Sequence, residues 1–205
     1  MRKATLPRPQ RADTMAQRGV LCLVVGPSGV GKDSLLAAAA RALPSEFVFP
    51  RRFITRPGGD STEAHVPVAI DRFEALVRAG AFTLHWGAHG LRYGLPVEIE
   101  ADLARGRCVV ANVSRGVLDE ARRRLQPVAV LSIEASEATL RERLGARGRE
   151  EAAEIEGRIA RAAAFTVTGE DVIRVRNDGA LEDAVRDFVG ALRRLALEGE
   201  RSAQR

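Results

Sequence analysis

Short apolar runs alternate with helix-like patterns along most of the chain. Apolar runs occur at 20–25, 51–55, 108–113, 128–134 and 171–177. A run such as VLCLVV, which has no polar position, is typical of a strand buried on both faces of a parallel sheet. Helical spacing of apolar positions occurs between these runs, at 32–43, 70–79, 96–105, 115–125, 136–146, 150–165 and 180–197. This alternation predicts an α/β fold built on a mostly parallel sheet with flanking helices.

The segment GPSGVGKDSLL connects the first predicted strand to the first predicted helix. Its glycines and lysine have the spacing of a phosphate-binding loop (P-loop), in which backbone N–H groups, a helix N-terminus and a lysine surround the phosphates of a nucleoside triphosphate. We therefore predict that this loop binds ATP. The residues predicted to contact it are Gly26, Pro27, Ser28, Gly29, Val30, Gly31, Lys32, Asp33 and Ser34.

Asp33 departs from the loop pattern, which places Ser or Thr after the lysine. A carboxylate beside triphosphate oxygens is repelled unless a cation lies between them. We therefore interpret Asp33 as a ligand of Mg²⁺, with Ser34 as the hydroxyl donor one position later. The alternative is that Asp33 only opens the helix, where the helix dipole favours an acidic side chain. Both interpretations keep the loop as a nucleotide site.

The composition fits one domain. The 205 residues are 45% hydrophobic, which is enough for a single core. We predict a flexible basic leader at 1–18, a domain at 19–197 and a tail at 198–205. The net charge of +5 suggests nucleic acid as a partner, but aromatic residues make up only 4% and provide no stacking platform.

Neither a membrane span nor a secretory signal is visible in the sequence. The longest apolar runs fall well short of the roughly 18 residues that a transmembrane helix needs. Cys22 and Cys108 lie within apolar runs, so we expect buried free thiols in a reducing compartment. We expect a cytoplasmic monomer or homodimer without a nucleic-acid or membrane partner.

From about Val20 to Asn177 the chain resembles the guanylate kinase superfamily of P-loop kinases. ITRP, at 54–57, resembles a strand end whose arginine binds the acceptor phosphate, and the segment 71–99 resembles the part that binds guanine. By this comparison the Glu that reads guanine falls on His85, and the Thr or Ser after Tyr-Gly falls on Leu95. Unpaired guanine donors would cost about 1–3 kcal/mol per group, which argues against guanine as the acceptor.

Five motifs in order resemble one branch of that superfamily, the ribose 1,5-bisphosphate phosphokinases. They are GKDS (31–34), TRP (55–57), EAH (63–65), HGLRYG (89–94) and NVSR (112–115). The resemblance implies Mg²⁺-dependent transfer of a phosphoryl group from ATP to ribose 1,5-bisphosphate, giving ADP and 5-phosphoribosyl 1-diphosphate during organic phosphonate breakdown. It also implies a substrate-binding insertion at about 52–95 and a small helical lid at about 140–163. The alternatives are a kinase for GMP and, in another class, a non-catalytic interaction module.

The resemblance also implies roles for individual residues. Arg56 is expected to bind an acceptor phosphate, and His65, Tyr93 and Arg115 the sugar or a phosphate. Lys32, Arg147 and Arg158 are expected to meet the transferred phosphoryl group, and Asn177, with Asp178, the adenine edge. For the lid arginines the alternative is pairing with glutamates on an exposed helix. Arg51 and Arg52 are interpreted as ordinary strand-edge residues, with substrate contact as the alternative.

Overall fold

The computed structural model describes residues 18–56, 65–146, 152–163 and 166–202, and within these ranges the chain forms two sheets flanked by helices. The strands are β1 Leu21–Val25, β2 Phe47–Val48, β3 Phe53–Ile54, β4 Val66–Pro67, β5 Phe82–Ala88, β6 Leu91–Pro96, β7 Cys108–Asn112, β8 Val128–Glu134 and β9 Val172–Arg176. The helices are α1 Lys32–Ala42, α2 Ile70–Arg78, α3 Ile99–Ala104, α4 Leu118–Arg124, α5 Glu137–Ala146, α6 Ala152–Ala163 and α7 Leu181–Ser202, with a short 3-10 helix, Arg115–Val117, before α4.

The main sheet has five parallel strands in the order β2-β7-β1-β8-β9. Every residue of β1 is fully buried, and the strand contributes to a separate hydrophobic cluster on each face. Leu21 and Leu23 pack on the side of α3 and α4, whereas Cys22 and Val24 pack on the side of α1 and α7. Burial on both faces explains why this strand has no polar position.

The second sheet has four strands in the order β4-β3-β6-β5, in which β3 and β4 are parallel and the other pairs antiparallel. Its outer face is covered by α2, whose Phe73 stacks on Phe82 with ring centroids 4.9 Å apart. Its other face, which we call the inner face, consists of Ile54, Leu84, Trp86, Tyr93 and Leu95 and joins the hydrophobic core of the main sheet. The second sheet is therefore fixed to the main sheet through a shared core.

The predicted fold class is confirmed, since the main sheet is parallel and helices flank it. The predicted elements differ mainly at their ends: α3 begins at Ile99, and α7 continues to Ser202 beyond the predicted end at 197. The sequence did not predict β2, β4, β5 or β6. Within the described ranges, no helix is both long enough and apolar enough to cross a membrane. Most of the predicted leader (1–17) and Arg147 lie outside the described residues.

Candidate functional site

The loop between β1 and α1 leads from a buried strand into the first turn of a helix. Gly31 precedes α1 with a φ of 94°, a conformation that glycine adopts without strain. A Cβ atom at this position would lie 2.5 Å from Asn177 Nδ2, so a larger residue is excluded on both counts. The N–H groups of the first turn of α1 have no partner within the helix, and they make its N-terminus suitable for binding an anion.

Lys32 places a full positive charge at this loop. Its ammonium group donates hydrogen bonds to the carbonyl oxygens of Gly26, at 2.7 Å, and Pro27, at 2.9 Å. The side chain is only half-buried, so solvent and ligands can reach it. A phosphate oxygen binds an ammonium group more strongly than a neutral carbonyl does, because both partners are charged. The lysine is therefore placed to bind the phosphates of a nucleotide in the loop.

Asp33 and Ser34 follow the lysine in the first turn of α1. Asn112, at the end of β7 and 8% exposed, donates a hydrogen bond from Nδ2 to Asp33 Oδ1 at 3.2 Å. The amide thus fixes the orientation of the carboxylate beside the loop. In the described part of the chain, His, Cys, Asp and Glu form no group of three or more that could hold a metal ion. A cation at Asp33 would take most of its ligands from a nucleotide and water, as Mg²⁺ commonly does.

A cavity of about 320 Å³ lies beside the loop. Asn177, which is 2% exposed, fixes the loop by donating from Nδ2 to the carbonyl oxygen of Val30 at 2.7 Å. Among the described residues, Asn177 Oδ1 and Arg143 Nη1 are buried polar atoms without a hydrogen-bond partner. An acceptor and a donor at one cavity match the edge of a purine base. The cavity is lined by Gly29, Gly31, Ser34, Arg143, Ala146, Asn177 and Leu181.

Arg143 was not predicted as a site residue. The sequence contained a signal for it, because Arg143 lies three positions after the buried Leu140 and beside the buried Leu144 on α5. Helical periodicity therefore placed it near the inward face of the helix.

Asp178 has a structural role at the start of α5. Its Oδ1 accepts hydrogen bonds from the backbone N–H of Ser136, at 2.5 Å, and from the hydroxyl of Thr139, at 3.1 Å. The Ser136 N–H is the main reason that the pKa of Asp178 is lowered from its usual value. The carboxylate therefore joins the end of β9 to the beginning of α5. Of these two neighbouring residues, Asn177 lines the cavity and Asp178 does not.

The helices α5 and α6 lie next to each other and close to the loop. Arg141 of α5 and Glu156 of α6 form a salt bridge at 3.0 Å, so pairing on the helix surface occurs for that arginine. Arg158, on α6, reaches the loop instead and donates from Nη1 to the hydroxyl of Ser28 at 3.4 Å. The structure thus brings one of the two predicted lid arginines to the loop.

The residues predicted to bind an acceptor occupy three different places. Arg56 is exposed just after β3 and lines a cavity of about 550 Å³ with Thr55, Pro67, Val68, Ala69, Ile70 and Gly90. Arg115 is exposed and begins the 3-10 helix that follows β7. His65 and Tyr93 are 8% exposed and do not line that cavity. Of the four residues, only Arg56 therefore lines this cavity.

Strand alternation corrects the expectation for His85. The side chain is exposed, and it lies between Leu84 and Trp86, which are both on the inner face. His85 therefore belongs to the opposite face of the sheet, and the idea that it replaces the guanine-reading Glu is wrong. In the superfamily this segment resembles Gly-x-Phe-Leu-Glu, and counting from Gly80 places the Glu at Leu84. Leu84 pairs across the strands with Leu95. Both leucines are 0% exposed and neither carries a group that could bind guanine.

A solved structure shares this architecture. A guanylate kinase from Anaplasma phagocytophilum matches with a TM-score of 0.60 at 19% identity, over 87% of this chain and 87% of that chain. At this identity the likeness shows the fold alone. Together with the loop, it defines a P-loop kinase fold of the guanylate kinase type.

Curated relatives make the assignment more specific. A ribose 1,5-bisphosphate phosphokinase PhnN from Acidiphilium cryptum is 49% identical over 182 residues, which cover 88% of this chain and 96% of that protein. The chain belongs to the ribose 1,5-bisphosphate phosphokinase family. A bifunctional ribose 1,5-bisphosphokinase-thymidine phosphorylase from Cupriavidus necator is 45% identical over 179 residues, and the chain spans only 30% of its length. No family model matches the chain.

Proposed function

We propose that this chain transfers the γ-phosphoryl group of ATP to the 1-phosphate of ribose 1,5-bisphosphate, giving ADP and 5-phosphoribosyl 1-diphosphate. The observation that carries the proposal is membership of the ribose 1,5-bisphosphate phosphokinase family, whose members are named for this reaction. The sequence supports the same substrate, because by the resemblance to guanylate kinases no carboxylate stands where guanine would be read. That leaves the donors of guanine without partners, whereas a sugar phosphate does not need them.

ATP is the proposed donor. The triphosphate would lie in the loop from Gly26 to Ser34, with Lys32 on its phosphates. The adenine would enter the cavity between α5 and α7, where Asn177 Oδ1 can accept from its amino group and Arg143 can donate to a ring nitrogen. Both atoms then gain the partners that no described protein group provides.

The acceptor needs little activation, because a phosphate monoester is largely ionised near neutral pH, with a second pKa of about 6. Catalysis therefore consists of positioning and charge neutralisation. We assign Arg56 to the reacting phosphate of the acceptor, and His65, Tyr93 and Arg115 to the remaining sugar and phosphate groups. Lys32 and Arg158 would contact the transferred phosphoryl group from the loop and from the lid. The resemblance implies the same role for Arg147, which lies outside the described residues.

We propose Mg²⁺ as the cofactor, held by Asp33 and Ser34 with the nucleotide. Both residues supply the oxygen ligands that Mg²⁺ prefers, and Asn112 orients the carboxylate, so the residues fit the ion. When bound with ATP, the ion neutralises the phosphate oxygens.

Asp33→Ala should raise the Mg²⁺ concentration that gives half-maximal activity by about tenfold, because a charged ligand is lost. Asp33→Ser restores the hydroxyl of the usual loop and should stay close to the wild type. Binding of Mn²⁺ in the presence of ADP, followed by electron paramagnetic resonance, should weaken in parallel in Asp33→Ala. Asp71→Ala, at the start of α2, is the matched control for an acidic residue that only opens a helix. Unchanged metal binding in Asp33→Ala would leave Asp33 with the helix-opening role alone.

The substrate is tested by measuring ADP formation from ATP with ribose 1,5-bisphosphate and, separately, with GMP. We expect kcat/KM for the sugar to exceed that for GMP by at least about 100-fold, as expected when a site lacks partners for a base. Rapid turnover of GMP without turnover of the sugar would reject the proposal and favour a nucleotide kinase. Absence of ATP binding in calorimetry would favour a non-catalytic interaction module.

We place the reaction in the cytoplasm, as a step of organic phosphonate breakdown catalysed by a monomer or homodimer. The thiols of Cys22 and Cys108 support a reducing compartment. They are buried and free, and their sulfur atoms lie 3.5 Å apart without a disulfide bond. Hydrogen bonding to Cys108 is the main cause that raises the pKa of Cys22, so its thiol stays protonated.

A further inference from the structure

Arg52 is a buried cation beside the inner face. It is 7% exposed, and its carbonyl oxygen accepts a hydrogen bond from the N–H of Val66 at 2.8 Å, so strand pairing extends to this residue. Arg52 and Ile54 are two positions apart in an extended segment and therefore point to the same side of the sheet. Ile54 belongs to the inner face, which places Arg52 there as well.

Aromatic rings hold the guanidinium in place. The Arg52 guanidinium carbon lies 5.3 Å from the centre of the Tyr93 ring, a distance typical of a cation–π contact. The Tyr93 ring stacks on Trp86 with centroids 5.5 Å apart and an angle of 7° between the planes. His65, directly before the neighbouring strand β4, is also buried, at 8% exposure. Cation and rings thus form a rigid, polar end to an otherwise aliphatic face.

Burial makes this charge unusual, because removing a guanidinium from water costs several kcal/mol that its interactions must offset. An exposed strand-edge arginine has no such cost. Arg56 lies on the same segment, four residues further on, where extended backbone separates the two Cα atoms by about 13 Å. A sugar bisphosphate carries two phosphates, and two arginines on one segment supply a cation for each of them.

We infer that Arg52 binds the second, non-reacting phosphate of the acceptor and thereby selects a sugar bisphosphate over a monophosphate. This inference rests on the proposed function and adds a residue to it. Arg56 then holds the reacting phosphate, while the Tyr93 ring fixes the Arg52 guanidinium. The sequence showed Arg51 and Arg52 as equivalent neighbours; only the pairing of the strands separates the exposed Arg51 from the buried Arg52.

The test is binding of ribose 5-phosphate, which carries the non-reacting phosphate without the reacting one. Calorimetry on Arg52→Met should show binding of ribose 5-phosphate weakened by about 10- to 100-fold, the loss expected for charge-assisted hydrogen bonds. The KM for ribose 1,5-bisphosphate should rise by a similar factor, with kcat reduced by about threefold at most, since the lost contact is uniform binding. Binding of ADP should stay unchanged, which shows that the variant is folded. Arg78→Met removes an exposed arginine from α2 and should match the wild type in every measurement.

Wild-type affinity for ribose 5-phosphate in a folded Arg52→Met variant would overturn the role of Arg52, and so would a wild type that does not bind this ligand. If Arg52→Met fails to fold, Arg52→Lys decides, because lysine keeps the charge but loses the planar donor geometry. We expect weaker binding of ribose 5-phosphate in Arg52→Lys with unchanged ADP binding, and unchanged affinity for both ligands would overturn the inference. A wild type that does not phosphorylate ribose 1,5-bisphosphate at all would instead reject the proposed function.

Discussion

Lys32→Ala should lower kcat/KM for phosphoryl transfer by about 10²- to 10³-fold. This range is expected when a preorganised group that stabilises the charge developing on the phosphates is removed. The protein should remain folded, because Lys32 is half-buried and its ammonium group donates to carbonyl oxygens of the loop, outside the hydrophobic core. The measurement is ADP formation at varied ATP concentration, with thermal unfolding followed by circular dichroism.

Arg41→Ala is the matched control, because Arg41 is an exposed cation in the last turn of the same helix. It should change neither activity nor stability beyond about 0.5 kcal/mol, as is usual for surface positions. Wild-type activity in Lys32→Ala would show that the loop does not hold the phosphates.

Arg158→Ala should lower kcat by about 10³-fold, a loss typical of an arginine that stabilises the transferred phosphoryl group. The KM for ATP should change little, because the contact strengthens in the transition state rather than in the ground state. In the described structure Arg158 already reaches the Ser28 hydroxyl at 3.4 Å, so a short movement of α6 brings it to the phosphates.

Arg161→Ala provides the comparison for Arg158→Ala. Arg161 is exposed on the same helix, and replacing it with alanine removes the same charge from the lid. If the two variants lose activity equally, Arg158 acts through the general charge of the lid and not through a specific contact. If neither loses activity, α6 takes no part in transfer.

The main sheet and the loop were predictable because their signals are local. A strand buried on both faces must be apolar throughout, and β1 is. The loop requires glycine where the backbone takes a positive φ, and Gly31, with a φ of 94°, meets that requirement. These constraints act on neighbouring residues, so they are visible in the order of the sequence.

The second sheet was not predictable in the same way. β3 and β4 have two residues each, too few for a periodic pattern. In β5, a register shift between Phe82 and Leu84 breaks the alternation, so the face on which His85 lies could not be predicted from the sequence. The roles of Arg52, Arg143 and Asn112 depend on residues in other helices and strands. Those residues are far away in the sequence, so a single sequence does not reveal the contacts. Cross-strand register and helix docking supply that information.

Phosphorus NMR of the products formed from ATP and ribose 1,5-bisphosphate tests the central claim most directly. The chain belongs to a family named for this reaction, and the paired Leu84 and Leu95 carry no group that could bind guanine. We therefore predict that the signal of the sugar 1-phosphate disappears and a pyrophosphate doublet appears on the sugar, together with ADP. A spectrum in which ribose 1,5-bisphosphate is unchanged while GMP, added to a parallel sample, becomes GDP would contradict the account.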